Sequence, residues 1–322
     1  MNRRQTIPKH LRYTLDQFKA EYPDDDVCLD TVMHQRYPGG VTYCPDCGQE
    51  RKLYRVSGRT AYACEAGHHF FPLAGTIFEK STTPLHIWFY AMYQMGSTRC
   101  GISAKQIQRE TGVTYKTAWR IFRQIRSLLS ETDMQLEGST VEIDESYMGG
   151  KNKNKHRSKL RQLRGRPAGD DDKTPVLGMV ERGGRVIACV TPNVKTETVF
   201  PIIHEHVLPE SVVFTDEYSI YDRLATPANG YVHRRIKHAE KVYVMGDVHT
   251  NTIEGFWSLV KRGISGVYHN VGKQYLQTYL DEYSFRYNRR DCGNLIFHAI
   301  LAKVSERACS KPSAQVAKNQ PV

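Results

Sequence analysis

The chain has 322 residues, 40% of them hydrophobic, which is enough for two or three domains with apolar cores. A formal net charge of +11 and a pI of about 9.2 favour a polyanionic partner, most often nucleic acid, over a merely basic soluble protein. No apolar run of about 18 residues is present, and the first residues lack the apolar core of a secretory signal, so we expect a cytoplasmic protein without a membrane partner.

Residues 1–40 predict a helical segment, and residues 41–76 hold three cysteines close together. Cys44 and Cys47 have the spacing with which half of a zinc ribbon grips one tetrahedral ion. The second half is irregular, because two histidines stand where another cysteine is usual. The cluster indicates a metal-binding site. The alternative is that it contains two unrelated thiols in a turn. We predict one structural Zn²⁺ on Cys44, Cys47, Cys64 and His68, with His69 as the alternative fourth ligand.

Residues 77–132 have helical periodicity and include SAKQIQRETGVTYKTAWRIFRQIRSLL. A short helix from Ser103, a turn at Gly112 and a longer helix opened by Thr114 predict a helix-turn-helix, although a plain helical hairpin has the same pattern. The residues predicted to pack inward are Ala118, Phe122, Ile125 and Leu129. The outer face would carry Tyr115, Lys116, Arg120 and Arg123, of which Lys116 and Arg120 are our predicted DNA contacts.

From residue 133 to 290 the sequence pattern becomes mixed α/β. Three of the predicted strands and helices in this region carry a carboxylate with a possible functional role. Asp144 lies in the strand VEIDESYMGG, Asp216 ends the strand SVVFTD, and Glu254 begins a late helix. Each has a simpler reading: a strand-end aspartate, a helix cap, and a capping box with Asn251. If the three converge, divalent cations would offset their repulsion. Two such ions, roughly 3.5–4 Å apart, can support an in-line phosphoryl displacement.

The stretches IDESYMGGK, VVFTDEYSIYD and HTNTIEGFWSLVKRG, in this order, resemble bacterial insertion-sequence transposases of the DDE type, in insertion-sequence family 1595, the ISXO-like group. The resemblance covers about residues 40–290. It implies a zinc ribbon, a helix-turn-helix region and, over 133–290, an RNase H-like catalytic domain of mixed α/β class. Residues 291–322 would add a C-terminal helix and a disordered tail.

This resemblance implies an enzyme that binds transposon ends, cleaves them by metal-dependent hydrolysis and transfers the 3′-hydroxyl ends to target DNA. Asp144, Asp216 and Glu254 match the catalytic, metal-binding triad, with Asn251 a lesser candidate for its third member. The implied cofactors are two Mg²⁺ or Mn²⁺ ions beside the structural zinc. The implied partners are double-stranded DNA, as terminal repeats and target, and further copies of the chain in a homodimer or larger oligomer. The protein would be associated with the bacterial nucleoid.

Basic residues near the acids are predicted to contact DNA phosphates. Lys261 lies on the same helical stripe as Glu254, two turns later, and matches a basic residue of many such enzymes; Arg262 follows it. The segment 151–166 holds eight Lys or Arg and no acid, and it would be either a phosphate-binding or a merely solvated loop. Its predicted DNA contacts are Lys151, Lys153 and Lys155. FRYNRR, residues 285–290, predicts a second basic patch, and Trp257 is expected in the core.

Two other functions fit parts of this pattern. A non-catalytic, domesticated DNA-binding regulator would share the ribbon and the helix-turn-helix without needing the acids. An RNase H-like nuclease would cleave DNA but never join it.

Overall fold

The computed structural model describes residues 7–131, 133–138, 140–149, 173–216, 218–226, 229–235 and 251–310. The chain divides into two compact units, one made of residues up to 129 and from 291, the other of residues 130–290. The class is mixed α/β, as predicted. In the ranges described, no helix is both long and apolar enough to cross a bilayer. The predicted contacts Lys151, Lys153 and Lys155 and the predicted tail after residue 310 lie outside the described residues.

The helices and strands follow in chain order. The α-helices are α1 (Leu15–Glu21), α2 (Asp25–Arg36), α3 (Leu85–Ser97), α4 (Ala104–Thr111), α5 (Tyr115–Arg126), α6 (Thr196–His206), α7 (Asn251–Gly263), α8 (Leu276–Asn288) and α9 (Ile296–Ser310). The strands are β1 (Val41–Cys44), β2 (Gln49–Arg55), β3 (Tyr62–Cys64), β4 (His69–Phe70), β5 (Thr140–Met148), β6 (Thr174–Glu181), β7 (Val186–Val190), β8 (Val212–Thr215) and β9 (Val232–Arg235).

The first unit combines a small antiparallel sheet, in the order β1-β2-β3-β4, with helices α1 to α5 and α9. Phe297 of α9 packs among aromatic rings of the early helices, including Phe18 and Tyr22, each 5.5 Å away between ring centroids. At Gly96 of α3 an added Cβ would lie 2.8 Å from the backbone nitrogen of Phe297, so α3 and α9 pack in close contact. Residues 291–310, set apart in the sequence analysis, therefore belong to this unit.

The second unit is built on a five-stranded sheet in the order β7-β6-β5-β8-β9. β6 pairs antiparallel with β5 and β7, whereas β8 runs parallel to β5 and β9. Alternation along β5 and β6 sends side chains to both faces, and each face is covered by helices. One face packs on α6 and the other on α7 and α8. This arrangement places β5, the central strand, which carries Asp144, next to β8, which Asp216 follows, and against α7, which carries Glu254.

Candidate active site and metal cluster

The parallel pair β5 and β8 brings two of the predicted acids side by side. Glu142 of β5 is in register with Phe214 of β8, and continuing that register by two residues places Asp216 beside Asp144. Asp216 stands directly after its strand, and its Oδ1 accepts a hydrogen bond from the Tyr218 backbone N–H at 3.0 Å. That bond fixes the turn after β8 and involves one carboxylate oxygen. Asp216 does not cap the next helix, because Tyr218 is the N-cap of the 3-10 helix that follows and no side chain caps it.

The third predicted acid, Glu254, lies on α7. Asp144 and Glu254 both line one open cleft, together with Ser258 and Lys261 of the same helix. The remaining lining residues are Trp257, Arg262 and Ser265. Glu254, Lys261 and Arg262 are exposed, whereas Asp144 is half-buried at the base. The cleft thus combines the half-buried carboxylate of Asp144 with an acid and two cations exposed on α7.

The carboxylate of Asp144 interacts electrostatically with neighbouring carboxylates. Burial, together with the neighbouring carboxylates of Glu145 and Asp216, raises the pKa of Asp144 to about 7. Burial likewise raises the pKa of Glu145, whose Oε2 accepts a hydrogen bond from the buried Tyr221 hydroxyl at 2.7 Å. Holding these groups ionised together is therefore unfavourable without added positive charge. Glu145, which points to the face opposite Asp144, is not among the site residues predicted from the sequence.

Trp257 packs against the strand next to Asp144, at a position where a glycine leaves room for its indole ring. Gly178 of β6 is the antiparallel partner of Asp144. An added Cβ at Gly178 would lie 2.4 Å from Cζ2 of Trp257, so the indole occupies the space that a side chain would fill. Trp257 is 3% exposed, in the core as predicted, and lines the same cleft as Asp144. Gly178 and Trp257 together set how closely α7 approaches β5.

Gly178→Ala is expected to destabilise the protein by about 1–3 kcal/mol, because the new methyl group would overlap the indole ring and overpack the core. The matched control is Gly255→Ala in α7, where an added Cβ meets nothing within 4 Å. That change is expected to stabilise by about 0.5–1 kcal/mol through helix propensity. Urea unfolding of both variants measures the two effects. Equal effects of the two substitutions would contradict the packing described here.

The cysteine cluster forms in the first unit as the spacing predicts. Sγ of Cys44 and Cys47 lie 3.4 and 3.3 Å from Nδ1 of His68, and Sγ of Cys64 lies 3.6 Å from it. All four ligand atoms lie within 4.8 Å of one another. His69 is an exposed residue of β4, so the structure supports His68 as the fourth member.

The chemistry of this donor set fits a structural zinc ion. Burial raises the pKa of the Cys64 thiol, but hydrogen bonds from the His68 and Ala66 backbone outweigh it and bring the pKa down to about 7. The thiolate is the form that binds metal. Three thiolates and one imidazole fill a tetrahedral shell and leave no open position for chemistry, which is the pattern of a structural site.

The two helices predicted from Ser103 begin where expected, and the second ends at Arg126, three residues before the predicted Leu129. Ser103 and Thr114 cap α4 and α5 with their side chains, and Gly112 takes the left-handed conformation, with φ of 73°, between them. Lys116 is exposed, whereas Arg120, also predicted for the outer face, is half-buried. Its guanidinium lies 5.5 Å from the Trp88 ring centroid and donates to Ser81 Oγ at 3.0 Å. The Arg120 guanidinium is thus partly engaged by other residues of the first unit.

The basic patch predicted over residues 285–290 is wrong. Arg286 is buried against Glu282 at 3.3 Å, and Arg289 pairs with Glu131 at 2.6 Å. Arg290 donates to the carbonyl oxygens of Gly183 and Gly184, both at 2.9 Å. Arg286 thus pairs within α8, Arg289 pairs with the segment before β5, and Arg290 bonds to the turn between β6 and β7, so all three have structural partners.

Comparison with known proteins agrees with this arrangement. Residues 135–288 match the family model of the ISXO2-like transposase domain, and residues 23–69 match that of the transposase zinc-ribbon domain. An uncharacterized protein in transposable element ISH50 of Halobacterium salinarum is 33% identical over 262 residues, 78% of this chain and 86% of that protein. The chain belongs to the ISXO2-like transposase family.

A second relative of this transposase is shorter. An uncharacterized transposase-like protein of Haemophilus influenzae is 33% identical over 107 residues, which are 33% of this chain and 84% of that protein. The resemblance drawn from the three sequence stretches is confirmed by the family matches. The zinc-ribbon match, together with the cluster of three cysteines and one histidine, supports a structural zinc ion in this transposase.

Proposed function

We propose that this ISXO2-like transposase binds the ends of its transposon, cleaves them by metal-dependent hydrolysis and transfers the 3′-hydroxyl ends to target DNA. The observation that supports this proposal is the position of Asp144 relative to the other two acids. Asp144 shares one cleft with Glu254 and Lys261 and is coupled electrostatically to Asp216. A purely structural role for Asp144 would not explain why acids from two other elements and a lysine lie around it.

The donor set fits divalent cations. Asp144, Asp216 and Glu254 would hold Mg²⁺ or Mn²⁺, two ions in the proposed scheme, because hard cations prefer carboxylate oxygens. Bound there, the ions would supply positive charge. This charge would favour the ionised form of Asp144, whose pKa is raised in the protein alone, and would stabilise negative charge on a phosphodiester. Asn251, the lesser candidate for the third acid's place, is the first residue of α7, three residues before Glu254.

The remaining residues of the cleft can hold a DNA strand. Lys261 and Arg262 are exposed on the last turn of α7, where they would bind phosphates and add to the salt dependence of DNA affinity. Ser258 and Ser265 offer hydroxyl groups along the same wall. The acids at the floor would orient the scissile phosphate, while the cations above would fix the strand on either side of it.

The architecture of the second unit supports an RNase H-like catalytic domain. Its antiparallel strands β7, β6 and β5 are followed across the sheet by the parallel strands β8 and β9, with helices on both faces. In the first unit, the zinc ribbon and the pair α4 and α5 would recognise the transposon ends, with exposed Lys116 among the contacts and Arg120 positioning α5. Joining two ends to one target requires at least two copies of the chain.

Strand transfer tests the proposal directly. The purified protein, given labelled DNA from both flanks of its gene, a supercoiled target and Mg²⁺, is expected to yield joined products, and none with EDTA. Cleavage without joining would indicate a nuclease. Binding without cleavage under Mg²⁺ and Mn²⁺ would indicate a DNA-binding regulator. Either of these outcomes overturns the proposed function.

A further inference from the structure

A fully buried carboxylate ties the strand of the first acid to the helix of the third. Glu142 of β5 is 0% exposed and lies two residues before Asp144. Its Oε2 accepts hydrogen bonds from the backbone N–H groups of Thr252 and Ile253, at 2.9 and 3.0 Å, in the first turn of α7. Its Oε1 accepts from the Thr252 hydroxyl at 3.0 Å. Glu142 therefore caps α7 from a different element.

The same carboxylate is linked to the strand of the second acid. Arg182, directly after β6, donates from Nε to Glu142 Oε1 at 2.8 Å. The Arg182 guanidinium lies over the Phe214 ring, 4.2 Å from its centroid. Phe214 belongs to β8 and is in register with Glu142. Arg182 thus bridges β5 and β8 at the level where they pair.

The attachment points share one spacing. Glu142 stands two residues before Asp144, Phe214 two before Asp216, and Thr252 two before Glu254. In each of the three elements, the residue two positions before the acid therefore takes part in a contact that links the elements to one another. Helix α7 could have been capped by a residue of its own, which would satisfy the same N–H groups without any link to the sheet. A cap supplied from β5 fixes the position of α7 relative to the strands as well.

We propose that the Glu142–Arg182 pair is the positioning device of the metal site, setting the separation of Asp144, Asp216 and Glu254. This rests on the proposed function, since it concerns that same site. Glu142 is a positioning residue: it is buried, and its described bonds go to protein groups. Outer-shell groups that orient ligands typically alter metal affinity by about 10–100-fold when removed.

Glu142→Gln tests the idea in the full-length protein, with Glu181→Gln as matched control. Glu181 is also a buried glutamate, 7% exposed, that accepts from the backbone N–H groups of Gly138 and Arg185 at 2.9 Å. None of those partners belongs to β8 or α7. Both variants are expected to lower the melting temperature. Only Glu142→Gln is expected to weaken Asp144-dependent Mn²⁺ binding, by about 10–100-fold, in titrations followed by electron paramagnetic resonance of free Mn²⁺.

A milder change protects the test against loss of folding. Thr252→Val removes one hydrogen bond to Glu142 and keeps the side-chain shape, so a several-fold weaker Mn²⁺ affinity with little loss of melting temperature is expected. Wild-type Mn²⁺ affinity in Thr252→Val and in folded Glu142→Gln would overturn the positioning role while leaving the proposed function standing. Absence of any Asp144-dependent Mn²⁺ binding in the wild type would instead overturn the proposed function and this inference with it.

Discussion

Asp144→Asn is expected to reduce Mg²⁺-dependent cleavage of transposon-end DNA by roughly 1,000-fold or more, as when a group acting on the reacting centre is removed. The amide keeps the size of the side chain but loses the charge that would hold a divalent cation. DNA binding should stay within about threefold of the wild type, because phosphate contacts come from cationic residues elsewhere. Cleavage kinetics and a binding titration, run at one salt concentration, measure the two quantities.

Asp281→Asn is the matched control for that experiment. Asp281 of α8 is another buried carboxylate whose pKa is raised, to about 6, by burial, and it accepts a hydrogen bond from Gln277 at 2.8 Å. It does not line the cleft. Asp281→Asn should therefore cleave DNA nearly as fast as the wild type. Equal losses in both variants would mean that buried carboxylates affect cleavage only through folding, which would contradict the role given to Asp144.

Metal-free stability provides a second readout of the same substitution. The pKa of Asp144 is raised in the folded protein from 3.8 to about 7, so its ionisation opposes folding as pH rises through this window. The cost is absent below about pH 4 and complete above about pH 7. Asn has no such cost. The melting temperature of Asp144→Asn relative to the wild type should therefore rise between pH 5 and pH 8, measured in EDTA.

Loss of zinc is expected to unfold the ribbon, the second large effect. Cys64→Ser removes one of the four clustered ligands, and structural zinc sites contribute about 10–16 kcal/mol of apparent binding free energy that is also folding free energy. The variant should purify with less than one zinc per chain and lose DNA-end binding. Zinc content by elemental analysis and protease resistance of residues 41–76 measure the effect.

Cys292→Ser is the control for the zinc experiment. Cys292 is an exposed cysteine of the same unit and does not belong to the cluster. It should retain one zinc ion per chain and bind DNA normally. A full zinc content in Cys64→Ser, or zinc loss in Cys292→Ser, would contradict the assignment of the ligands.

Local features of the site could be predicted from the sequence because they depend on short-range chemistry. The spacing of Cys44 and Cys47 indicates a metal knuckle, and the turn at Gly112 between two capping residues defines the helix pair. The three acids could be proposed as a triad because the stretches that hold them resemble those of a known transposase family. Mixed α/β class likewise follows from the alternation of strand and helix patterns.

Long-range partnerships could not be predicted. Glu142, 110 residues before Thr252, accepts hydrogen bonds from the first turn of α7, whereas the local pattern offered only a capping box of Asn251 and Glu254 as a simpler alternative. Arg289 pairs with Glu131, 158 residues away, and a basic stretch was therefore mistaken for a DNA-binding patch. Arg286 is different, because Glu282 four residues earlier was a visible helical partner. Such pairings depend on the register and packing of the sheet, which a single sequence does not display.

The central claim is that three acids from β5, β8 and α7 form one divalent-cation site. Crystals soaked in Mn²⁺ and measured at its absorption edge test it most directly, because anomalous peaks locate the metal without reference to activity. The claim predicts manganese within about 2.0–2.6 Å of carboxylate oxygens of Asp144, Asp216 and Glu254, the usual range for hard cations. Manganese held elsewhere, or by one of these acids alone both with and without DNA, would contradict it.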